Sequence, residues 1–131
     1  MDDIERRAAG MAVRRQILGD AHVDRAVAKQ NPVNAAYQDL IVRYAWGDIW
    51  TRPGLDHRTR RLLVLTTTAS MGRWEEFRLH IRAGLEGGLS VADITETLLQ
   101  LAVYAGVPAA NTGFHILEEV MADLGLAADT A

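Results

Sequence analysis

The chain has 131 residues, about the modal size of one domain, so separate catalytic and binding modules are not expected. Apolar residues make up 49% and charged residues 24%, enough for a packed core under a wet surface. Arg and Lys sum to 14 against 17 Asp and Glu, a net charge of -3, which lacks the basic excess that nucleic-acid binding by counterion release requires. The absence of cysteine excludes disulfides, thiolate metal sites and dithiol redox cycling. The first residues mix acids and bases around no apolar signal-peptide core, and no run approaches the roughly 18 apolar residues of a membrane span. A cytoplasmic protein with neither membrane nor nucleic-acid partner is therefore expected. Lys29 is the single lysine. That bias suits bidentate gripping of carboxylates, and equally suits a genome-wide preference for arginine.

Gly and Pro divide the chain into six or seven segments with helical rather than strand periodicity, which predicts an all-α helical bundle in one domain. The first helix runs from about Asp3 to Leu18 and stops at Gly19; a short amphipathic piece from Ala21 to Ala28 follows, closed by Asn31 and Pro32. From Asn34 to about Ile49, Tyr37, Leu40, Ile41 and Tyr44 recur at helical spacing and define one apolar face. Pro53 and Gly54 mark a connecting turn, with Asp56 placed to cap the next helix. Leu62 to Ala69 is apolar or threonine-rich all round and could be a buried strand, but no partner strand exists, which favours helix. Arg73 to Glu86 carries a buried stripe of Trp74, Phe77, Ile81 and Leu85 and ends at Gly87 and Gly88. Ser90 and Asp93 form a near capping box for a helix with core face Ile94, Leu98, Leu101 and Ala105, which Gly106 ends. Pro108 suits the first turn of the last helix, whose apolar face is Phe114, Leu117, Met121 and Leu124, before Gly125 and an Ala-rich tail expected to be disordered from about residue 126.

Turning about 100° per residue along the helix from Arg73 places Arg73, Glu76, His80 and Gly84 in one narrow sector beside the buried stripe. A cation, a carboxylate and an imidazole there, with a glycine leaving space, describe a small polar pocket under apolar walls. The alternative is a boundary histidine salt-bridged to Glu76. Tyr104, Asn111 and His115 flank the break at Gly106 to Pro108, where free helix-start N–H groups favour anions; ordinary junction packing would also place them there. A third cluster joins Trp46, Trp50, Arg52, His57, Arg58, Arg60 and Arg61. Arginines at a helix start oppose its dipole, so an anion is expected nearby, either a substrate or a partner subunit's carboxylates. No metal-ligand spacing, phosphate loop or nucleophile elbow is present, and no metal is expected.

Four blocks, Leu18-Gly-Asp-Ala-His-Val-Asp-Arg25, Tyr44-Ala-Trp-Gly-Asp-Ile-Trp-Thr-Arg-Pro-Gly-Leu55, Trp74-Glu-Glu-Phe-Arg-Leu-His80 and Tyr104-Ala-Gly-Val-Pro-Ala-Ala-Asn111, resemble the carboxymuconolactone decarboxylase family, within the larger alkylhydroperoxidase D-like group. The likeness extends from about Gly10 to Val120. Peroxidases of that group carry a Cys-x-x-Cys pair before a histidine; the matching positions here are Arg73, Glu76 and His80, so the dithiol chemistry is lost while the position of the site is marked. The resemblance implies an all-helical fold, a homo-oligomer of trimer or hexamer type in which Tyr44 to Leu55 faces a neighbour, and no cofactor. It further implies cofactor-independent decarboxylation of 4-carboxymuconolactone to 3-oxoadipate enol-lactone, in the protocatechuate branch of the β-ketoadipate pathway. Two alternatives stand beside it: a related decarboxylase acting on another lactone or acid, and a non-catalytic ring-forming ligand binder.

On that reading His80 is the general acid and Glu76 sets its tautomer or raises its pKa. Arg73, Arg52, Arg58 and Arg60 are candidates to hold the substrate's carboxymethyl arm, with Trp46 and Trp50 beside them; Tyr104, Asn111 or the junction's N–H groups are candidates to receive the oxyanion, and His115 is a further substrate-binding candidate.

Overall fold

The computed structural model describes residues 1–127, and among these there are seven α-helices, one π-helical segment and no strand. They fall into two compact units, one from Met1 to His57 and one from Arg58 onward. No helix among the described residues is long and apolar enough to cross a membrane.

The first unit opens with α1 (Asp3–Leu18), started by the Asp2 carboxylate, which accepts the Glu5 N–H at 2.8 Å, and ended at Gly19, whose φ of 87° suits glycine. Helix α2 (Asp20–Ala28) follows at once, and an Asn31 turn, with its side chain accepting the Val33 N–H at 2.8 Å, leads into α3 (Ala35–Ile41). Helix α3 runs on as a π-helix over Val42–Trp50. Gly10 of α1 and Gly47 of this segment let the two backbones meet: a Cβ on Gly10 would lie 2.7 Å from the Gly47 nitrogen and nearer still to the Val42 carbonyl oxygen, and one on Gly47 would lie 2.5 Å from the Arg6 carbonyl oxygen. Arg6 ties the same crossing down, donating to Asp48 at 2.8 Å and to Asp3 at 2.7 Å.

The helix from Asn34 is present, but its apolar face is not a core face. Tyr37 is 61% exposed, Leu40 47% and Tyr44 62%, and α3 buries no residue. The buried side of the continuation is Val42, Trp46, Gly47 and Trp50. Periodicity identifies which residues share a face, not what covers it, and the wider π turn re-aims the segment's inward positions.

In the second unit, α4 (His57–Ser70) continues from Arg58, and the Leu62 to Ala69 stretch is helical. Its threonines fit because the Thr66 and Thr68 hydroxyls donate to the Leu62 and Val64 carbonyls one turn back, at 2.9 and 2.7 Å. Helix α5 (Trp74–Glu86) ends at Gly87 and Gly88, α6 (Val91–Tyr104) at Ala105 and Gly106, and α7 (Val107–Asp123) starts with Pro108 in its first turn. The capping box at Ser90 is complete: its hydroxyl accepts the Asp93 N–H at 3.0 Å and the Asp93 carboxylate accepts the Ser90 N–H at 3.1 Å. Phe77, Ile81, Ile94, Leu98, Leu101, Leu117 and Val120 form the centre of the core. Trp74, Leu85, Phe114 and Leu124 pack on it partly buried, whereas Ala105 is exposed, because it sits past the last turn of α6. The tail departs from expectation at its root, since Leu126 packs on the core and donates its N–H to the Met121 carbonyl at 2.8 Å. Residues from 128 onward lie outside the described residues.

Candidate active site

Helix α5 begins after a tight turn in which Gly72 adopts a φ of 70° and the Arg73 N–H donates to the Thr68 carbonyl at 2.8 Å. Arg73 is its N-cap residue, with Glu75 and Glu76 in the first turn, where carboxylates complement the helix dipole. An open cleft of about 300 Å³ is lined there by Gly72, Arg73, Trp74, Glu75 and Glu76. Trp74 is fixed by an edge-on contact with Phe77, ring centres 5.4 Å apart.

One turn beyond Glu76, His80 is only 7% exposed, at the edge of a core that Phe77 and Ile81 fill on either side of it in sequence. The sector from Arg73 to Gly84 is therefore graded: Arg73 and Glu76 are exposed at the cleft, and His80 and Gly84 are buried. The space expected over Gly84 is occupied, since a Cβ there would lie 2.8 Å from a Leu89 methyl carbon. Gly84 thus serves close packing by Leu89, not room beside the imidazole.

The other candidates are distributed differently. Arg58 is paired with Asp93, the carboxylate of the capping box, and this hydrogen bond, with help from the Ser90 N–H, holds the Asp93 carboxyl below its ordinary range. Arg60 is half-buried and Arg52 exposed. Trp46 and Trp50 are buried and stacked on one another at 5.1 Å, with His57 tilted against Trp50 at 6.2 Å, so their ring faces are spent largely on packing. Tyr104 is 83% exposed at the end of α6, and Asn111 and His115, one turn apart, sit on the exposed side of α7. The start of α7 has no side-chain cap, and although Pro108 carries no N–H, the N–H groups of Val107 and Ala109 are left for an anion. Among the described residues no three His, Asp or Glu side chains converge as a metal-binding group would.

Two arginines are buried: Arg14, which the sequence reading did not single out, and Arg61, which it placed in the cluster around the connecting turn. Arg14 and Arg61 are 8% and 5% exposed, and burial pushes both guanidinium groups down from their ordinary pKa. Arg61 lies against Gly87 at the end of α5, where helix carbonyls favour a cation. Their signal was positional: Gly10, Arg14, Ile17 and Leu18 share the inward face of α1, and Arg61, Leu65 and Ala69 that of α4.

Comparison with known proteins identifies the lineage. Residues 35–119 match the model of the carboxymuconolactone decarboxylase family. The chain is 40% identical to a 4-carboxymuconolactone decarboxylase of Acinetobacter baylyi, over 97% of this chain and 95% of that protein. It is 34% identical to a nitrosuccinic acid decarboxylase of Metarhizium robertsii, over 94% of this chain and 87% of the fungal protein. A 48-residue 4-carboxymuconolactone decarboxylase sequence of Pseudomonas putida is 54% identical over its whole length, 37% of this chain. With the matched segment reaching from the start of α3 to the last turns of α7, the chain belongs to the carboxymuconolactone decarboxylase family, an all-helical branch of the alkylhydroperoxidase D-like fold.

Proposed function

We propose that this protein is a carboxy-lyase that converts 4-carboxymuconolactone to 3-oxoadipate enol-lactone in the protocatechuate branch of the β-ketoadipate pathway, without a cofactor. The observation that carries the proposal is the 40% identity to the Acinetobacter decarboxylase along almost the entire length of both chains. The chemistry is self-consistent. The substrate is an unsaturated lactone whose ring carbon bears a carboxylate and a carboxymethyl arm. As CO2 leaves, the electron pair of the broken C–C bond moves through the ring double bond into the lactone carbonyl. The resulting furan-like oxyanion takes a proton at the carbon next to that carbonyl. The substrate supplies the electron sink that a coenzyme usually provides.

The protein then has to hold a dianion, steady an oxyanion and deliver one proton. His80 is the group suited to proton delivery, a nearly buried imidazole one turn from the cleft that Arg73 and Glu76 line. Arg73 is better placed than Arg58 to meet a substrate carboxylate, because Arg58 already serves Asp93. The uncapped start of α7 is suited to an oxyanion. Assembly into a homo-oligomer and a cytoplasmic location belong to the same reading. The exposed stripe of Val33, Tyr37, Leu40 and Tyr44 supports assembly, since such a stripe is costly to leave in water.

A second reading follows from the fungal relative. Nitrosuccinic acid, by its name an acid bearing a nitro group, also carries its own electron sink, so a different self-activated acid is the alternative substrate. Incubation of the purified protein with each acid, followed by CO2 release, separates the two. Turnover of the lactone supports the proposal; turnover of nitrosuccinate alone replaces it; turnover of neither refutes both. Within the main reading, His80→Ala and His80→Gln should keep helix content and assembly while losing at least about a hundredfold in turnover, the usual scale for a positioned acid. Near-normal rates in either folded variant would remove His80 from the mechanism.

A further inference from the structure

The first unit contains a cavity of about 120 Å³ between α1, α2 and α3, well above the roughly 10–15 Å³ that one water requires. Met11, Val27 and Val42 give it an apolar wall, and Gln30 and Gln38 contribute amides. Arg14 also lines it, yet it is 8% exposed, its Nε has no hydrogen-bond partner, and among the described residues no carboxylate forms an ion pair with it. The nearby acid cannot serve, because Asp39 on the same wall is engaged through one oxygen by Arg7 at 2.6 Å and through the other by Arg43 at 2.8 Å. Two guanidinium groups thus occupy the one carboxylate on the cavity wall, and Arg14, on the same wall, is left without a counter-charge.

Arginine stays protonated at any pH the protein tolerates, so a largely buried guanidinium without a counter-charge is costly and favours the arrival of an anion. The planar fork of Arg14 matches a carboxylate, and the apolar wall matches a short carbon chain. We infer that this cavity is a binding site for the carboxylate of a small organic acid, with Arg14 as its counter-charge and Gln30 and Gln38 as flanking hydrogen-bond partners. The site belongs to the first unit alone and does not depend on the catalytic assignment.

The test uses the full chain with succinate and propionate as probes, titrated by calorimetry at constant ionic strength, with the Arg14 Nε–H followed by NMR. Saturable binding at one site per chain should move the Arg14 resonance; Arg14→Met should weaken binding at least about tenfold, the scale of a lost charge-assisted pair. Arg14→Lys, which keeps the charge but not the fork, should fall between. His80→Gln should bind as the natural chain does, which separates this site from the decarboxylase reading. If neither acid binds at tens of millimolar, if binding leaves the Arg14 resonance unmoved, or if Arg14→Met binds equally well, the inference is wrong. It is equally overturned if the natural chain ignores both acids while Arg14→Met changes its subunit count, since the counter-charge would then be a carboxylate of a second copy.

Discussion

Replacing Gly10 by alanine adds a single methyl group where α1 crosses the π-helical segment, and its consequence can be worked from the contacts it would make. An exposed Gly→Ala change within a helix stabilises by about 1 kcal/mol. Here the new carbon would stand 2.7 Å from the Gly47 nitrogen and 3.0 Å from its Cα, with the Val42 carbonyl oxygen nearer still. All three are backbone atoms, so no rotamer change relieves the clash, and α1 must move away by most of an ångström. Overpacking costs about 1–3 kcal/mol where side chains can yield, and the upper end applies where they cannot. The net expectation is a loss of at least about 2 kcal/mol, or roughly 6–10 °C in melting temperature for a chain of this size. Gly113→Ala is the matched control: its added carbon would lie 2.5 Å from Leu98 Cδ2, the far end of a side chain that can rotate, so a net change within about 1 kcal/mol is expected. Denaturant and thermal midpoints, measured at equal protein concentration, decide the matter. A Gly10→Ala chain as stable as the natural one, or no worse than Gly113→Ala, would refute the backbone-contact reasoning.

Other consequences are simpler. Ser90→Ala removes one half of the capping box and should cost about 1 kcal/mol, read as a shift in denaturant midpoint. Asp39 is held below its ordinary carboxyl value of 3.8 chiefly by hydrogen bonds from Arg43 and Arg7, and Asp93 by Arg58 and the Ser90 N–H. Because the folded values are depressed, the stability these groups contribute is complete above the unfolded value and drains away as pH falls through the folded one; thermal midpoints should be flat near neutrality and fall below about pH 4. A midpoint that begins to fall near pH 6 would point to other groups. Tyr37→Glu with Tyr44→Glu should lower the sedimenting mass by breaking subunit contacts while leaving helix content intact; an unchanged mass would remove this stripe from the assembly.

Much of the fold was legible because local chemistry and global structure agree. Gly19, Gly88, Gly106 and Gly125 sit at positive φ where helices stop, and Ser90 with Asp93 starts a helix as its spacing implies. The stripe on α3 was legible as a face but not as a surface, because burial depends on what lies opposite and no spacing rule carries that. The π-helical turn was invisible for the same reason: it lies at the Gly10–Gly47 crossing, a contact between residues 37 apart. At the candidate site, helical geometry aligned Arg73, Glu76 and His80, but the gradient from open cleft to buried imidazole required the packing of neighbours. Arg14 and Arg61 stood on apolar faces in plain view, and a charged residue in such a position is a signal that periodicity alone discounts.

A helical chain of this family takes CO2 from an acid able to store the released electron pair in its own ring. This is tested most directly by following the ultraviolet absorbance of 4-carboxymuconolactone and the evolved CO2 together, with purified protein freed of metals by chelation. Lactone should be lost and CO2 gained in equal amounts, at a rate proportional to protein concentration. Lactone that persists unchanged, or that reacts only after a metal or coenzyme is restored, would contradict it.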